Sequence, residues 1–282
     1  MKFISYLQDG RPSYGLWVSN GVVDLATRLG SQVPSLKSLL TQGQLERAAA
    51  FQHTAPDFLL DAVQLLPVIP DPDNILCIGL NYEEHRAETK RPEVAHPTIF
   101  LRVRESLQAD GAPLLIPRES DQFDYEGELA VVIGKGGRRI SEAQAWSHVA
   151  GVACFNEGTV RDWQYHTHQF GPGKNFPGTG AFGPALVTLD ELPADKVVSL
   201  ETRVNGRVMQ QASTAQMIFS VPRLIAYCST FMSLAPGDVI VSGTPGGVGA
   251  KRQPPFWLKE GDVVEVEIGH VGLLRNVCKK EV

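Results

Sequence analysis

The stretch Asp124-Tyr125-Glu126-Gly127-Glu128, running directly into Leu129-Ala130-Val131-Val132-Ile133, decides how this chain is read. The apolar run is short, rich in β-branched residues and closed by Gly134, so it predicts a buried strand. Side chains alternate faces along a strand, which would put Asp124, Glu126 and Glu128 on one side. Three carboxylates so placed repel one another: two unit charges about 4 Å apart cost roughly 4 kcal/mol at an effective dielectric near 20. A bound cation, a protonated carboxylate or surrounding Lys and Arg would relieve the repulsion. All-oxygen sites of this kind prefer Ca²⁺, Mg²⁺ or Mn²⁺. A solvated strand end whose acids never meet has the same spacing, so the rest of the chain must decide.

The 282 residues are 43% hydrophobic, enough for a large core at about the size where chains divide into domains. Charged residues make up 20%, the formal net charge is −5, and no basic stripe points to nucleic acid or to an anionic membrane surface. The N-terminus lacks the long apolar stretch of a signal peptide, and no run is long enough for a membrane span. Cys77, Cys154, Cys228 and Cys278 are scattered without a CxxC pair, and the first three lie in apolar surroundings. They read as core residues of a reduced, cytoplasmic protein.

Residues 1–70 read as a small N-terminal unit. Phe3–Tyr6 alternates as a strand, Asp9-Gly10 turns into Ser13–Val18, and Asn20-Gly21 turns into Val22–Leu25. Helical spacing follows over Ser35–Leu45 and Leu45–Leu65, and Pro67, Pro70 and Pro72 mark a boundary. The second unit, 73–282, opens with the strand-like Ile75–Leu80, a helical pattern from Tyr82 to Lys90, and a strand over Pro97–Arg102. Beyond the acidic strand, a helix is expected from Ser141 to Ala150, a strand over Gly151–Phe155, and a long apolar helix from about Thr214 to Ser229. Strands outnumber helices, which fits a β-rich α+β barrel or roll.

Gly178-Thr179-Gly180-Ala181-Phe182-Gly183 spells a dinucleotide-binding string, but no strand leads into it and no helix follows, so that reading is rejected. The glycine-rich Ser242–Gly249 contains no phosphate-loop motif; it fits either a plain turn or close backbone approach to a small anion, with Thr244 offering a hydroxyl. His166 and His168 form an HxH without further His or Cys at ligand spacing, which favours a structural role over zinc. His85 and Glu88 stand three residues apart on the expected helix and share a face. A carboxylate beside an imidazole orients it and raises its basicity, as a general base requires; a surface helix pair has the same spacing.

Together these segments resemble the fumarylacetoacetate hydrolase family over roughly residues 73 to 280. The resemblance is carried by Gly79-Leu80-Asn81-Tyr82 with His85 and Glu88, and by Pro97-Thr98-Ile99-Phe100. It continues through Asp124–Leu129, Arg161-Asp162-Trp163-Gln164, Lys174 before Phe176, and Ser242–Gly249. The resemblance implies a barrel-like roll of mixed strands with a small N-terminal α+β domain, assembled as a homodimer. It implies that Glu126 and Glu128 are ligands of Mg²⁺ or Mn²⁺, with Ca²⁺ as a substitute in crystals. The family's third ligand is the Asp of an Asn-Asp string; here Glu157 follows Asn156, one methylene longer, which bears on a metal as geometrically demanding as Mg²⁺. Arg102 stands where the family usually has Lys.

The chemistry so implied is hydrolysis of a carbon–carbon bond in a 1,3-dioxo acid such as an acylpyruvate, in the catabolism of aromatic compounds or related 2-oxo acids. His85, oriented by Glu88, would activate water; Lys174 and Gln164 would hold the oxygen that becomes negative; Arg102, Arg161, Thr244 and Gly243 would receive substrate carboxylates. The helix from Tyr82 would serve as a lid. The same family contains isomerases and decarboxylases of 2-oxo acids, which use the enolate without water attack. A non-catalytic relative with a metal site weakened by Glu157 is a third reading. The expected partner is a small 2-oxo acid, with no nucleic acid and no membrane.

Overall fold

The computed structural model describes residues 1–90 and 92–282. Every residue from Gly127 to Ile133 is buried, because the strand they form is covered on both faces. Leu129, Val131 and Ile133 enter a core shared with Leu200, Val264, Val266 and Leu274. Ala130 and Val132, on the opposite face, enter a second core with Phe3, Leu16, Leu36 and Leu39. Burial stabilises each of Leu129, Val131, Val132 and Ile133 by about 1.5–3 kcal/mol. That fixes the register, since a slip of one residue would drive Glu128 into apolar packing.

This strand is near the middle of a twelve-stranded sheet. In spatial order the main path runs Phe58–Leu59, Gly21–Asp24, Arg11–Val18, Lys2–Gln8, Gly180–Val187, Val149–Asn156, Gly127–Ile133, Val239–Val241, Ile75–Gly79 and Thr98–Arg102. Most pairings are antiparallel, but Val239–Val241 runs parallel to Ile75–Gly79. The N-terminal strands extend the same sheet, with Phe3 opposite Leu186. A five-stranded sheet (Arg207–Ser213, Ser199–Val204, Val263–Ile268, Gly272–Lys280, Leu114–Ile116) packs across one face. The result is the mixed, strand-rich α+β architecture that the sequence predicts.

Several expected helices are shorter or broken. Leu45–Phe51 is a 3₁₀ helix, and the expected helix to Leu65 gives way to two short strands, Phe58–Leu59 and Gln64–Leu65, around a 3₁₀ turn at Leu60–Ala62. Pro56 lacks a donor, and Asp57 N and Leu60 N donate to Val22 O and Asn20 O, so the neighbouring strand captures the backbone. Glu142–His148 is also 3₁₀, and Val149 already belongs to the next strand. The expected Thr214–Ser229 helix is two pieces, Thr214–Gln216 and Val221–Phe231. Between them Asn81 holds the chain extended, accepting from Ile218 N through its backbone and from Phe219 N through its side chain. Ser220 then caps the second piece. Among the described residues all four cysteines are free and buried, and no helix is long and apolar enough to cross a membrane.

Candidate functional site

The acidic segment is not a single strand. Phe123–Asp124 pairs with Thr159–Val160, Gly127–Ile133 joins the large sheet, and Tyr125 and Glu126 lie between. The break turns Asp124 away from Glu126 and Glu128, so the expected three-acid face loses its first member. The Asp124 carboxylate instead accepts from Arg161 Nε at 2.7 Å, Gly249 N at 2.8 Å and Ala250 N at 3.0 Å. Glu157, at the end of the adjoining strand, takes the vacated place, its N–H donating to Glu126 O at 2.7 Å. One carboxylate oxygen from each of Glu126, Glu128 and Glu157 comes within 4.8 Å of the others, and all three residues are buried. Gly127 between the two strand acids faces the smaller sheet, where a Cβ would lie 2.0 Å from Thr202 Oγ1.

Lys174 is 2% exposed and its Nζ donates to Glu126 Oε2 at 2.7 Å and to Glu157 Oε2 at 2.8 Å. Arg161 Nη2 is 2.6 Å from Glu126 Oε1 but is misaligned, so this contact is an ion pair without a hydrogen bond. Burial would raise the Glu126 carboxyl, but Lys174, then Arg161 and His85, outweigh it and hold it down at about 2. Glu128 goes the other way: burial, then the charges of Glu157 and Glu126, push it well above the usual carboxylate range. Ionising Glu128 as well gives Asp124, Glu126, Glu128 and Glu157 four negative charges against the two positive charges of Arg161 and Lys174, an excess of two that a bound cation would offset. Glu157 Oε1 is buried without a hydrogen-bond partner. An oxygen-only donor set, an orphaned carboxylate oxygen and a two-charge excess fit a divalent cation such as Mg²⁺ or Mn²⁺.

The acids floor a cavity of about 90 Å³ whose walls include Ile78, Leu80, Phe100 and Phe170. His85 lines it from the Glu83–Glu88 helix, with Nδ1 2.7 Å from Glu88 Oε1. Glu88 Oε2 in turn accepts from Gly247 N at 3.0 Å, so the base and its orienting carboxylate are pinned to the glycine-rich segment. Nε2 of His85 has no partner among the described residues. Gln164 also lines the cavity; its Oε1 accepts from Arg161 Nη1 at 2.9 Å, which leaves its amide N–H groups available.

The glycine-rich Ser242–Gly249 segment approaches anions, and those anions are the protein's own. Gly243 N donates to Glu128 Oε2, Gly247 N to Glu88 and Gly249 N to Asp124. Two of these glycines are required by their backbone: Gly243 and Gly247 have φ of +101° and +100°, and a Cβ at Gly247 would sit 2.2 Å from Met209 O. Thr244 lines the cavity, but its hydroxyl donates to Gly127 O and accepts from Gln210. Arg102 lies outside the cavity lining, its guanidinium donating to Ser106, Gly158 O and Thr179. The expected carboxylate-binding groups of Arg102, Arg161, Gly243 and Thr244 are thus already engaged inside the protein. His166 and His168 lie away from the triad, with the His166 ring 4.9 Å from Trp163. The sequence reading did not single out Tyr165, Phe170 or Lys251 as cavity residues; each lies on a loop or short turn without a periodic signal.

The family model described as fumarylacetoacetate (FAA) hydrolase, C-terminal, matches residues 74–279. The mitochondrial oxaloacetate tautomerase fahd2 of Xenopus laevis is 37% identical over 285 residues, covering 98% of this chain and 89% of the relative. Among solved structures, the fumarylacetoacetate hydrolase of Exiguobacterium antarcticum superposes with a TM-score of 0.83 at 34% identity, over 100% of both chains. The 2-hydroxyhepta-2,4-diene-1,7-dioate isomerase of Mycobacterium marinum gives a TM-score of 0.77 at 26% identity, over 100% of this chain and 99% of that one.

Proposed function

From the premise that the chain belongs to the fumarylacetoacetate hydrolase family, we propose that it catalyses enol–keto tautomerisation of a small 2-oxo dicarboxylic acid of the oxaloacetate type. The observation that carries the reading is a buried, net-negative carboxylate triad sharing one cavity with an oriented imidazole. The resemblance to a tautomerase across nearly the whole chain supports it over carbon–carbon hydrolysis. The expectation that His85 and Glu88 imply water attack loses its force here, because a positioned base removes a carbon-bound proton as readily as it activates water.

A divalent cation held by Glu126, Glu128 and Glu157 would supply Lewis-acid stabilisation of the charge that develops on the enolate oxygen. His85 Nε2 takes the proton from C3 of the keto form, and Glu88 stabilises the imidazolium that results. The same nitrogen returns the proton, either to carbon or to the enolate oxygen, so atoms and charge balance with no water consumed. Gln164, held by Arg161, offers its amide N–H groups to the negative oxygen. Lys174 offsets one of the negative charges of Glu126 and Glu157 and so lessens the repulsion of an anionic substrate. Phe100, Phe170, Ile78 and Leu80 keep the cavity walls apolar and so strengthen these interactions.

The test follows loss of ultraviolet absorbance as enol-oxaloacetate converts to the keto form, with Mg²⁺ or with chelator, and assays pyruvate and CO₂ alongside. Metal-dependent acceleration that is lost in His85→Ala, without equivalent pyruvate, is the expected result. Hydrolysis is the second reading, supported by the 34% identity to a fumarylacetoacetate hydrolase. Equimolar pyruvate and carboxylic acid from an acylpyruvate, with no acceleration of the oxaloacetate tautomers, would overturn the tautomerase in its favour.

A further inference from the structure

The cavity has a cation that is paired with no acid among the described residues. Arg161 and Lys174 are committed to Asp124, Glu126 and Glu157, and Arg252 donates to Tyr125 Oη and Met209 O. Lys251 lines the same cavity, and its ammonium group makes no hydrogen bond or ion pair with any described residue. Its Nζ lies over an aromatic face, 5.9 Å from the centre of the Tyr165 ring, and Tyr165 lines the cavity as well. Lys251 is exposed, so it marks the mouth, whereas the acids lie buried at the floor.

Its position is fixed by the acid cluster itself. Lys251 ends the short turn Gly249–Lys251, and the two residues before it, Gly249 and Ala250, donate their N–H groups to the Asp124 carboxylate. Phe256 N and Arg252 N donate to Gly249 O and Lys251 N to Val248 O, which ties the turn down from both sides. Asp124 is two residues from Glu126. The backbone that carries this lysine is therefore bonded to the segment that carries the first acid of the triad, so the root of the side chain stays at the cavity mouth.

We propose that Lys251, supported by the Tyr165 ring, receives the second carboxylate of a 2-oxo dicarboxylic acid and makes the site prefer diacids to monoacids. The assignment rests on the function proposed above: the 2-oxo acid end goes to the acidic floor, and the distal carboxylate then faces the mouth. The ammonium stands over an aromatic ring and keeps its N–H donors free of partners among the described residues, an arrangement suited to an anion that arrives from solvent.

The test uses 3,3-difluoro-oxaloacetate, which has no C3 proton to lose, and its 4-methyl ester, which has the same skeleton with one charge removed. Binding of both to the Mg²⁺-loaded protein is measured by calorimetry for the parent, Lys251→Met and Lys251→Arg. A charge-assisted contact predicts that the parent binds the diacid about tenfold more tightly than the ester. Lys251→Met should bring that ratio close to one, and Lys251→Arg should restore most of it. Lys251 is exposed, so neither change threatens folding. A ratio unaltered in Lys251→Met, or no preference in the parent, overturns the proposal. The binding does not depend on turnover: a Lys251-dependent preference in a protein that fails to interconvert oxaloacetate tautomers would sink the reaction and keep the subsite. Tautomerisation with an unaltered ratio would do the reverse.

Discussion

Replacing Lys174 by Met should make the stability of the protein depend on metal. The side chain is 2% exposed and joins Glu126 at 2.7 Å to Glu157 at 2.8 Å. Removing one partner of a buried ion pair costs about 3–5 kcal/mol, because the remaining charge stays buried and unpaired. For a chain of this length about 1 kcal/mol corresponds to 2–4 °C in melting temperature, so the metal-free variant should melt about 6–20 °C below the parent. The same change leaves the four acids facing only Arg161, and a cation in the triad then replaces the lost ammonium. One added unit of charge at about 4 Å and an effective dielectric near 20 is worth roughly 4 kcal/mol. Saturating Mg²⁺ should therefore raise the melting temperature of Lys174→Met by more than it raises the parent's. Thermal unfolding of both proteins in chelator and in millimolar Mg²⁺ measures this directly. A variant as stable as the parent without metal, or an equal metal increment in the two, would refute the view that Lys174 and a cation balance the same acids.

Two other outcomes follow from the same geometry. His85→Ala and Glu88→Ala should each lower turnover by similar factors, with the double variant little worse than either, because residues acting as one unit are not additive; steady-state kinetics showing additive losses would separate them. In the N-terminal strands, burial pushes the Asp24 carboxyl up, but hydrogen bonds from Tyr6, Thr27 N and Ser13 outweigh it and hold it below the usual value. A lowered acid contributes stability that is complete above its unfolded value near about 3.9 and is lost as pH falls through the lower folded value. Asp24→Asn should therefore lower the melting temperature at pH 7 and by less below about pH 4, and a gap that stays constant down to pH 3 contradicts this.

The acid strand was legible because burial on both faces leaves a continuous β-branched run, a signal carried by Leu129–Ile133 alone. The alternation that put Asp124 beside Glu126 fails because the chain changes sheets at Tyr125–Glu126, and nothing in the local pattern marks that change. The His85–Glu88 pair was legible because it needs only three-residue helical spacing, which local sequence reports well. The use of the Gly243, Gly247 and Gly249 amides was half legible. Their composition left a plain turn and anion contact equally open, and the anions are Glu128, Glu88 and Asp124, 115, 159 and 125 residues away in sequence. The broken Thr214–Ser229 helix has the same cause, since Asn81 competes for the backbone from 138 residues away. Arg102 was expected to receive a carboxylate because it stands where the family usually has Lys, whereas its three partners are Ser106, Thr179 and the carbonyl of Gly158.

The account rests on a cation held by Glu126, Glu128 and Glu157, and Mn²⁺ tests it without any substrate. Free Mn²⁺ gives a strong electron paramagnetic resonance signal that collapses on binding, so titrating the protein into Mn²⁺ reads stoichiometry and affinity together. The parent should bind about one Mn²⁺ per chain, Mg²⁺ should displace it, and Glu126→Ala and Glu128→Ala should each weaken binding by about tenfold or more. A parent that leaves millimolar Mn²⁺ free, or variants that bind it as the parent does, would contradict the central claim.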